Sequence, residues 1–360
     1  MTAFRPLSVQ AAFTLSGHYY TASQIFEQET QRIFRNHWIC VGRSEQIADT
    51  GDYFLAEIGA ENLIILRDAQ GRSRAFFNVC RHRGTRLCHQ SQGHLGETIG
   101  CASHGWQYSL EGQLRSTWRD PVLFEENIPS EENALFGCAL HEWEGFLWVN
   151  LAPNPVPFMQ TVSPLLNQFA PWRLASLRVA QQVTQDLQAN WKLIFQAYCD
   201  RYFHPSTARR GFDSATRSPN LSTGAFLGAS QAIDRHALPL PGLHGEQGNR
   251  AYYYSLFPTM MLSLYPSHAI AVRLYPQAAD RTRIVCEWLC DRSAVNSEAI
   301  ETWQRTHRQA WLGCEQVQRS LHTSRSNPAS SLTAFDREYL RVLGASAFRL
   351  PQNYACHEGH

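Results

Sequence analysis

Between residues 20 and 38 the stretch YTASQIFEQETQRIFRNHW sets Ile25, Phe26, Ile33 and Phe34 at helical spacing among polar neighbours, which predicts a half-buried helix. Thr21 or Ser23 is placed to cap it, with Glu27 and Glu29 early in its course. From residue 40 to 150 the pattern changes to short alternating runs, YFLAEI, NLIILRD, RAFFNVC and EGFLWVNL. They are punctuated by Gly51, Gly71, Gly84, Gly93, Gly105 and Gly112, and predict a small all-β module. APNPVPF (152–158) is proline-rich and reads as a boundary. Beyond it, VAQQVTQDL (179–187) predicts a strand, and Asn190 is placed to cap a helix running to about Tyr202. AYYYSLFPTMMLSLYP, HAIAVRLYPQ and TRIVCEWLC alternate and are rich in aromatic residues, as an antiparallel sheet requires. A helix follows over 297–322, with Trp303, Ala310, Trp311 and Val317 expected on its buried face. The Gly-, Ser-, Pro- and Arg-rich segment 206–250 reads as a long loop region, and no internal repeat is evident.

Composition narrows the class. A chain of 360 residues that is 44% hydrophobic and 18% charged is an ordinary globular protein long enough for two domains. A net charge of +1 offers no bulk attraction to nucleic acid or an anionic membrane. No apolar run approaches the ~20 residues that cross a bilayer, and the N-terminal sequence lacks a basic start followed by an apolar stretch, so a cytoplasmic location is expected. Ten Cys are too few for a disulfide scaffold of this size, and Cys40, Cys138, Cys286 and Cys290 fall in apolar segments as buried core residues.

The chemistry concentrates in CRHRG (80–84) and CASHGW (101–106). Cys80 and His82, then Cys101 and His104, offer two thiolates and two imidazoles on two short loops. That set fits a Rieske two-iron two-sulfur cluster, in which two His replace two Cys on one iron and raise the potential. The alternatives are a structural zinc site with the same ligands or a coincidence among 10 Cys and 15 His. A zinc finger, however, pairs its Cys together and its His together. Gly84 and Gly105 are expected to make tight turns that bring backbone N–H groups near sulfur. Arg81, Arg83 and Arg86 surround the first loop, to dock an acidic reductase or to balance cluster charge.

The two loops, with HEWEGFLWVNLAP (141–153), ANWKLIF (189–195), LYPSHAIAVRLYPQAADRTRIVCEW (264–288) and CEQVQRSL (314–321), make the chain resemble a known family. It is that of the Rieske non-haem iron oxygenase alpha subunits, in the branch acting on quaternary ammonium compounds such as choline, glycine betaine and carnitine. The resemblance spans roughly residues 15–325. It implies an α+β protein: a helical lead-in (1–38), an all-β Rieske domain (39–152), and a C-terminal domain (153–360) with a helix-grip, START-like antiparallel sheet and covering helices. It also implies a second, mononuclear iron held by two His and one carboxylate, with open positions for dioxygen. A further carboxylate links an iron ligand to a Rieske His of the neighbouring subunit. Counted from NWK, Asp200 takes that bridging position, while the ligand positions fall on Phe203, Ala208 and, on the late helix, Ala310. None of those three can ligate. His204 is one residue late and about 100° around the helix from position 203.

The resemblance therefore implies a cluster-bearing, non-catalytic alpha-type subunit of a heteromeric oxygenase, a trimer or hexamer, with the mononuclear iron absent from this chain. It would relay electrons from a reductase or ferredoxin to an active alpha subunit that hydroxylates or demethylates a small substrate. One alternative is an active monooxygenase with unusual ligands drawn from Asp200, His204, His236 and His307. Another is a stand-alone Rieske electron carrier. Tyr252, Tyr253, Tyr254, Phe257 and Tyr265 are either a cage for a quaternary ammonium group or ordinary core.

Overall fold

The computed structural model describes residues 15–117, 132–203, 212–213, 226–233, 239–291, 297–323 and 333–344. The lead-in is not one helix. His18–Thr21 (α1) and Ser23–Glu29 (α2) are separated at Ala22, and α2 runs into a π-turn over Thr30–Phe34. Neither Thr21 nor Ser23 caps these helices through its side chain, and the Thr21 hydroxyl instead donates back to the Gly17 carbonyl at 3.2 Å.

The N-terminal module is built from antiparallel strands, as the alternation predicts. β1 (Ile39–Arg43), β10 (Phe146–Asn150) and β9 (Ala139–Trp143) form one sheet. β4 (Ser73–Phe77), β3 (Glu61–Arg67), β2 (Asp52–Ile58) and β5 (Gln92–His94) form a second. β6 (Thr98–Gly100), β7 (Trp106–Ser109) and β8 (Leu114–Thr117) form a small third sheet. Strand period decides which core each residue enters. Leu63 and Ile65 of β3 pack into the main core, while Ile64 and Leu66 turn the other way to join Cys80, Cys101, Trp106 and Tyr108.

After a short helix α3 (Phe158–Thr161), a seven-stranded antiparallel sheet takes the order β11-β17-β16-β15-β14-β13-β12. Its strands are β11 (Arg178–Leu187), β12 (Phe212–Asp213), β13 (Phe226–Ala232), β14 (Arg250–Leu256), β15 (Met260–Leu264), β16 (Ala269–Ala278) and β17 (Arg281–Cys290). β13 lies inside the segment expected to be loop, where its small residues Gly228, Ala229 and Ser230 hide the usual strand signal. One face of the sheet meets the N-terminal module: the Tyr275 hydroxyl donates to the Val41 carbonyl at 3.1 Å, beside the buried Arg273–Glu287 ion pair at 2.6 Å.

The other face is covered by α4 (Trp191–Phe203), α5 (Ser297–Thr323) and α6 (Ala334–Leu343). α6, with a Thr333 capping box, was not apparent in the hydrophobic pattern. The buried stripe of α5 is Ile300, Trp303, His307, Trp311, Cys314 and Gln318. Ala310 is half-buried beside it, whereas Val317 is 46% exposed, because the helix period carries it off the stripe. Asn190 caps α4 as expected, its Oδ1 accepting from the Lys192 N–H at 2.9 Å. Gln318 closes the same corner, accepting from the Asn190 N–H at 2.9 Å and donating to the Tyr20 carbonyl at 3.0 Å.

The start of α4 carries a fully buried cation. Lys192 is 0% exposed and forms an ion pair with Glu29, which is also 0% exposed. Glu29 additionally accepts from Trp191 Nε1 at 2.9 Å and from the Tyr339 hydroxyl at 2.7 Å. Burial pulls the Lys192 pKa down, opposed by its carboxylate partner. Lys192→Met leaves Glu29 buried without its counter-charge and is expected to cost about 3–5 kcal/mol, whereas the pair Glu29→Gln/Lys192→Met should recover much of that. Urea unfolding of the two variants measures the difference.

Candidate cluster site

The two Cys-His loops are the same turn built twice. In each, the Cys N–H donates to the carbonyl five residues on, Cys80 to Thr85 and Cys101 to Trp106, both at 2.8 Å. In each, the Cys carbonyl accepts from the Gly N–H four residues on, Gly84 at 2.9 Å and Gly105 at 3.0 Å. Those glycines have φ of +73° and +77°, where a side chain would be strained. The His stands two residues after Cys in one turn and three after it in the other. The glycine N–H groups thus serve the cysteine carbonyls rather than sulfur, and it is the His82 N–H that approaches the Cys80 thiol. Ser103 Oγ donates to Thr85 Oγ1 at 3.1 Å and joins the turns.

Cys80 and Cys101 are buried at 2% and 4% exposure, and their thiols lie within hydrogen-bonding reach of each other. His82 and His104 are half-buried, with rings 4.6 Å apart and 82° inclined. His82 also lies flat on Trp106, 4.9 Å away at 8°. The Tyr108 oxygen accepts the Arg81 N–H at 3.0 Å and lies 3.2 Å from Cys80 Sγ, where the phenol would donate to that sulfur once it is held as a thiolate. Burial pushes the Cys80 thiol pKa up, and bound iron would reverse that by holding the thiolate.

Two thiols inside and two imidazoles outside suit a pair of irons better than one tetrahedral ion. Among the described residues, no three His, Cys, Asp or Glu side chains gather around a single point. His104 Nδ1 is buried with no hydrogen-bond partner, a ring nitrogen without another use. The residues present therefore fit the Rieske cluster. Trp106 and Tyr108 are functional neighbours that the motif reading passed over; their alternation just after CASHG puts both on the inner side of β7. Around the turns, Arg83 and Arg86 are exposed, and Arg81 lies over the Phe136 ring at 3.6 Å.

The second domain separates its expected residues. Asp200 is exposed near the end of α4, and Phe203 is buried against Tyr198 and Tyr202, with ring centroids at 6.0 and 6.5 Å. Ala208, His204 and His236 lie outside the described residues. His307, one turn before Ala310, faces α4: its Nδ1–H donates to the Trp303 carbonyl at 2.9 Å, and its Nε2 accepts the Tyr202 hydroxyl at 3.4 Å. Both nitrogens are thereby engaged. The aromatic run is core on both faces of the sheet. Tyr252 packs on Trp172 at 5.2 Å and Tyr254 on Phe169 at 4.9 Å. On the other face Tyr253 stacks on Tyr202 at 4.0 Å, while Tyr265 stacks on His268 at 4.7 Å. Phe257 meets His37 at 5.3 Å. Rings closed on one another make no open cage.

Comparison with known proteins agrees with this layout. A family model described as the ring hydroxylating alpha subunit (catalytic domain) matches residues 174–343, and one described as the Rieske 2Fe-2S domain matches residues 37–123. The glycine betaine monooxygenase oxygenase subunit of Pseudomonas aeruginosa is 23% identical over 397 residues, covering 97% of this chain and 92% of that one. The carnitine monooxygenase oxygenase subunit of Acinetobacter baumannii is 34% identical over 204 residues, covering 56% of this chain and 54% of that one. The crystal structure of a quaternary ammonium Rieske monooxygenase with L-carnitine superposes with a TM-score of 0.71 at 23% identity, covering 93% of this chain and 95% of that one.

Tyr108→Phe removes a hydrogen bond that favours the more negative, reduced cluster. It should lower the midpoint potential by roughly 40 mV, the one-electron equivalent of about 1 kcal/mol, in an EPR-monitored redox titration. In the second domain, burial pulls the His307 pKa down from 6.5 to about 4. Between those two values the unfolded chain takes up a proton that folded His307 refuses, so stability falls as pH drops through the window, by up to about 3 kcal/mol. His307→Gln should flatten that part of the stability profile in urea unfolding at a series of pH values.

Proposed function

We propose a role that starts from one premise: the chain is a Rieske oxygenase alpha subunit, homologous to the quaternary ammonium monooxygenases. Its role is to relay electrons and dock, as the partner of an active alpha subunit in a heteromeric cytoplasmic oxygenase. The observation that carries this reading is Phe203. The family resemblance puts an iron-ligating His there, and the chain puts a buried phenyl ring among Tyr198 and Tyr202, while the cluster quartet is complete. Ala208 and Ala310 stand at the other two ligand positions.

When bound, the two-iron cluster supplies a one-electron store. Cys80 and Cys101 hold its buried side and His82 and His104 its outer side, Trp106 supports the His82 ring, and Tyr108 directs a hydrogen at the Cys80 sulfur. Asp200 presents an exposed carboxylate in the last turn of α4, where a neighbouring subunit can meet it. The solved carnitine-oxidising relative is described in terms of inter-subunit electron transfer. A chain that keeps its cluster and its docking carboxylate can serve such a transfer without an iron of its own. The partner then performs the hydroxylation or demethylation of a small substrate with dioxygen, drawing on a reductase or ferredoxin.

Purified alone, the chain should contain two irons and two acid-labile sulfides per protomer, show a Rieske EPR signal and turn over none of the family's substrates. Three irons per protomer, or turnover without a partner, would sink the proposal. Phe203→His/Ala208→His/Ala310→Asp should then gain a third iron over the parent.

A further inference from the structure

The two cluster turns are alike, but the chain closes them differently. The 101–105 turn is flanked at once by β6 and β7, which pair with each other at Gly100 and Gln107, so a β-ladder shuts its mouth. The 80–84 turn follows β4 but runs on into irregular chain as far as β5 at Gln92. Nothing in the strand pairing holds its far end. Side chains hold it instead: Ser103 meets Thr85, Arg86 Nε donates to the Cys88 carbonyl at 3.1 Å, and Asn78 makes three bonds to residues 87 and 88.

We propose that Asn78 is a positioning residue for the cluster, closing the first ligand loop as the β6–β7 ladder closes the second. Asn78 is 2% exposed and uses its whole hydrogen-bonding capacity. Oδ1 accepts from the Leu87 N–H at 3.0 Å and the Cys88 N–H at 2.8 Å. Nδ2 donates to the Cys88 carbonyl at 2.7 Å and to Asn62 Oδ1 at 2.7 Å. Its backbone N–H donates to the Asn62 carbonyl at 2.9 Å, which fixes the amide to β3. The residues it grips are not surface chain: Leu87 and Cys88 are 8% and 5% exposed and share a core with Cys80, Cys101, Trp106 and Tyr108.

Each turn contributes one thiol and one imidazole, so a slack first loop moves Cys80 and His82 together relative to Cys101 and His104. The spacing of the two imidazoles, 4.6 Å between ring centroids, depends on Asn78 although it touches neither ring. The reach of a buried amide that satisfies three backbone groups at once is not reproduced by a shorter polar side chain. This inference needs only the cluster assignment and is independent of whether the second domain binds iron.

The test uses the holoprotein and three variants. Asn78→Ser removes the grip on residues 87 and 88. Asn78→Asp keeps acceptance from the two N–H groups but sets a carboxylate oxygen against the Cys88 carbonyl. Asn62→Ala removes the strand-side bond to the Asn78 side chain, together with an exposed 3.5 Å contact to Glu57. Cluster release to a ferrous chelator should be at least about tenfold faster in Asn78→Ser, as expected for the loss of buried hydrogen bonds, and intermediate in Asn78→Asp. Asn62→Ala should stay close to the parent. The Rieske g-tensor should broaden in the same order, a signature that general destabilisation with an unmoved cluster would not change. Parental g values and release rates in both Asn78 variants would overturn the proposal. Should Asn78→Ser fail to assemble, a parental spectrum and rate in Asn78→Asp would overturn it alone.

Discussion

A lysine ammonium with no exposure cannot stand without a counter-charge, and much of this fold is arranged around supplying one. Lys192 meets Glu29 from the N-terminal helix, and the rings of Tyr20, Trp191 and Tyr339 lie 5.4, 5.4 and 5.1 Å from its Nζ. Three segments far apart in sequence, α2, α4 and α6, are thereby drawn to one point. The neighbouring corner is satisfied as fully, with the Asn190 amide donating to Ala279 and Tyr20 carbonyls at 2.6 and 3.3 Å. α4 leaves this corner in a direction it cannot vary, and its 13 residues carry it about 20 Å. The place of Asp200 and Phe203 at its far end follows from the charge pair at its near end.

The cluster module is held by a different device. Its core is small, and β2, β3 and β4 join it to the rest, β3 sending Ile64 and Leu66 one way and Leu63 and Ile65 the other. Within the module the sulfurs are deep and the imidazoles shallow. The polar groups near the Cys80 sulfur, the His82 N–H and the Tyr108 hydroxyl, would both donate hydrogen to a thiolate there. A site that must hold extra negative charge on reduction is thus lined by donors, and no acidic residue occurs in 79–96 or 98–110.

The parts of the molecule legible in the sequence were those whose cause is local. The Cys80/His82 and Cys101/His104 pairs, the Asn190 cap and the alternation of β14, β16 and β17 each follow from neighbours in the chain. What escaped was set by distance. No signal at Glu29 points to Lys192, 163 residues away, and none at Asn78 announces its grip on Cys88. β13 was hidden by its small residues, and α6 lay beyond the helix that the hydrophobic pattern made plain. Val317 shows the limit of spacing arguments: apolar character placed it on the buried stripe of α5, but Gln318, bonded to Asn190 and Tyr20, takes the inward position.

The interior between α4 and the sheet bears on why such a domain stays folded if it holds no metal. A vacated iron site lined by His and carboxylate would leave buried polar groups without partners, each costing about 1–3 kcal/mol and more when charged. Among the described residues, the interior beside the end of α4 is lined by phenyl and phenol rings. Phe203 asks for no partner, Tyr202 is stacked on Tyr253, and the Tyr198 hydroxyl reaches the Leu262 carbonyl at 3.3 Å and Ser263 Oγ at 3.2 Å. The imidazole that faces this interior from α5, His307, is kept neutral by burial and occupied at both nitrogens. A hydrogen bond from Tyr202 to His307 thus joins α4 to α5 beside the positions where the family resemblance puts a shared metal. The two helices are cross-linked here by one hydrogen bond beside a ring stack onto the sheet, and every buried polar group named at this junction has a partner.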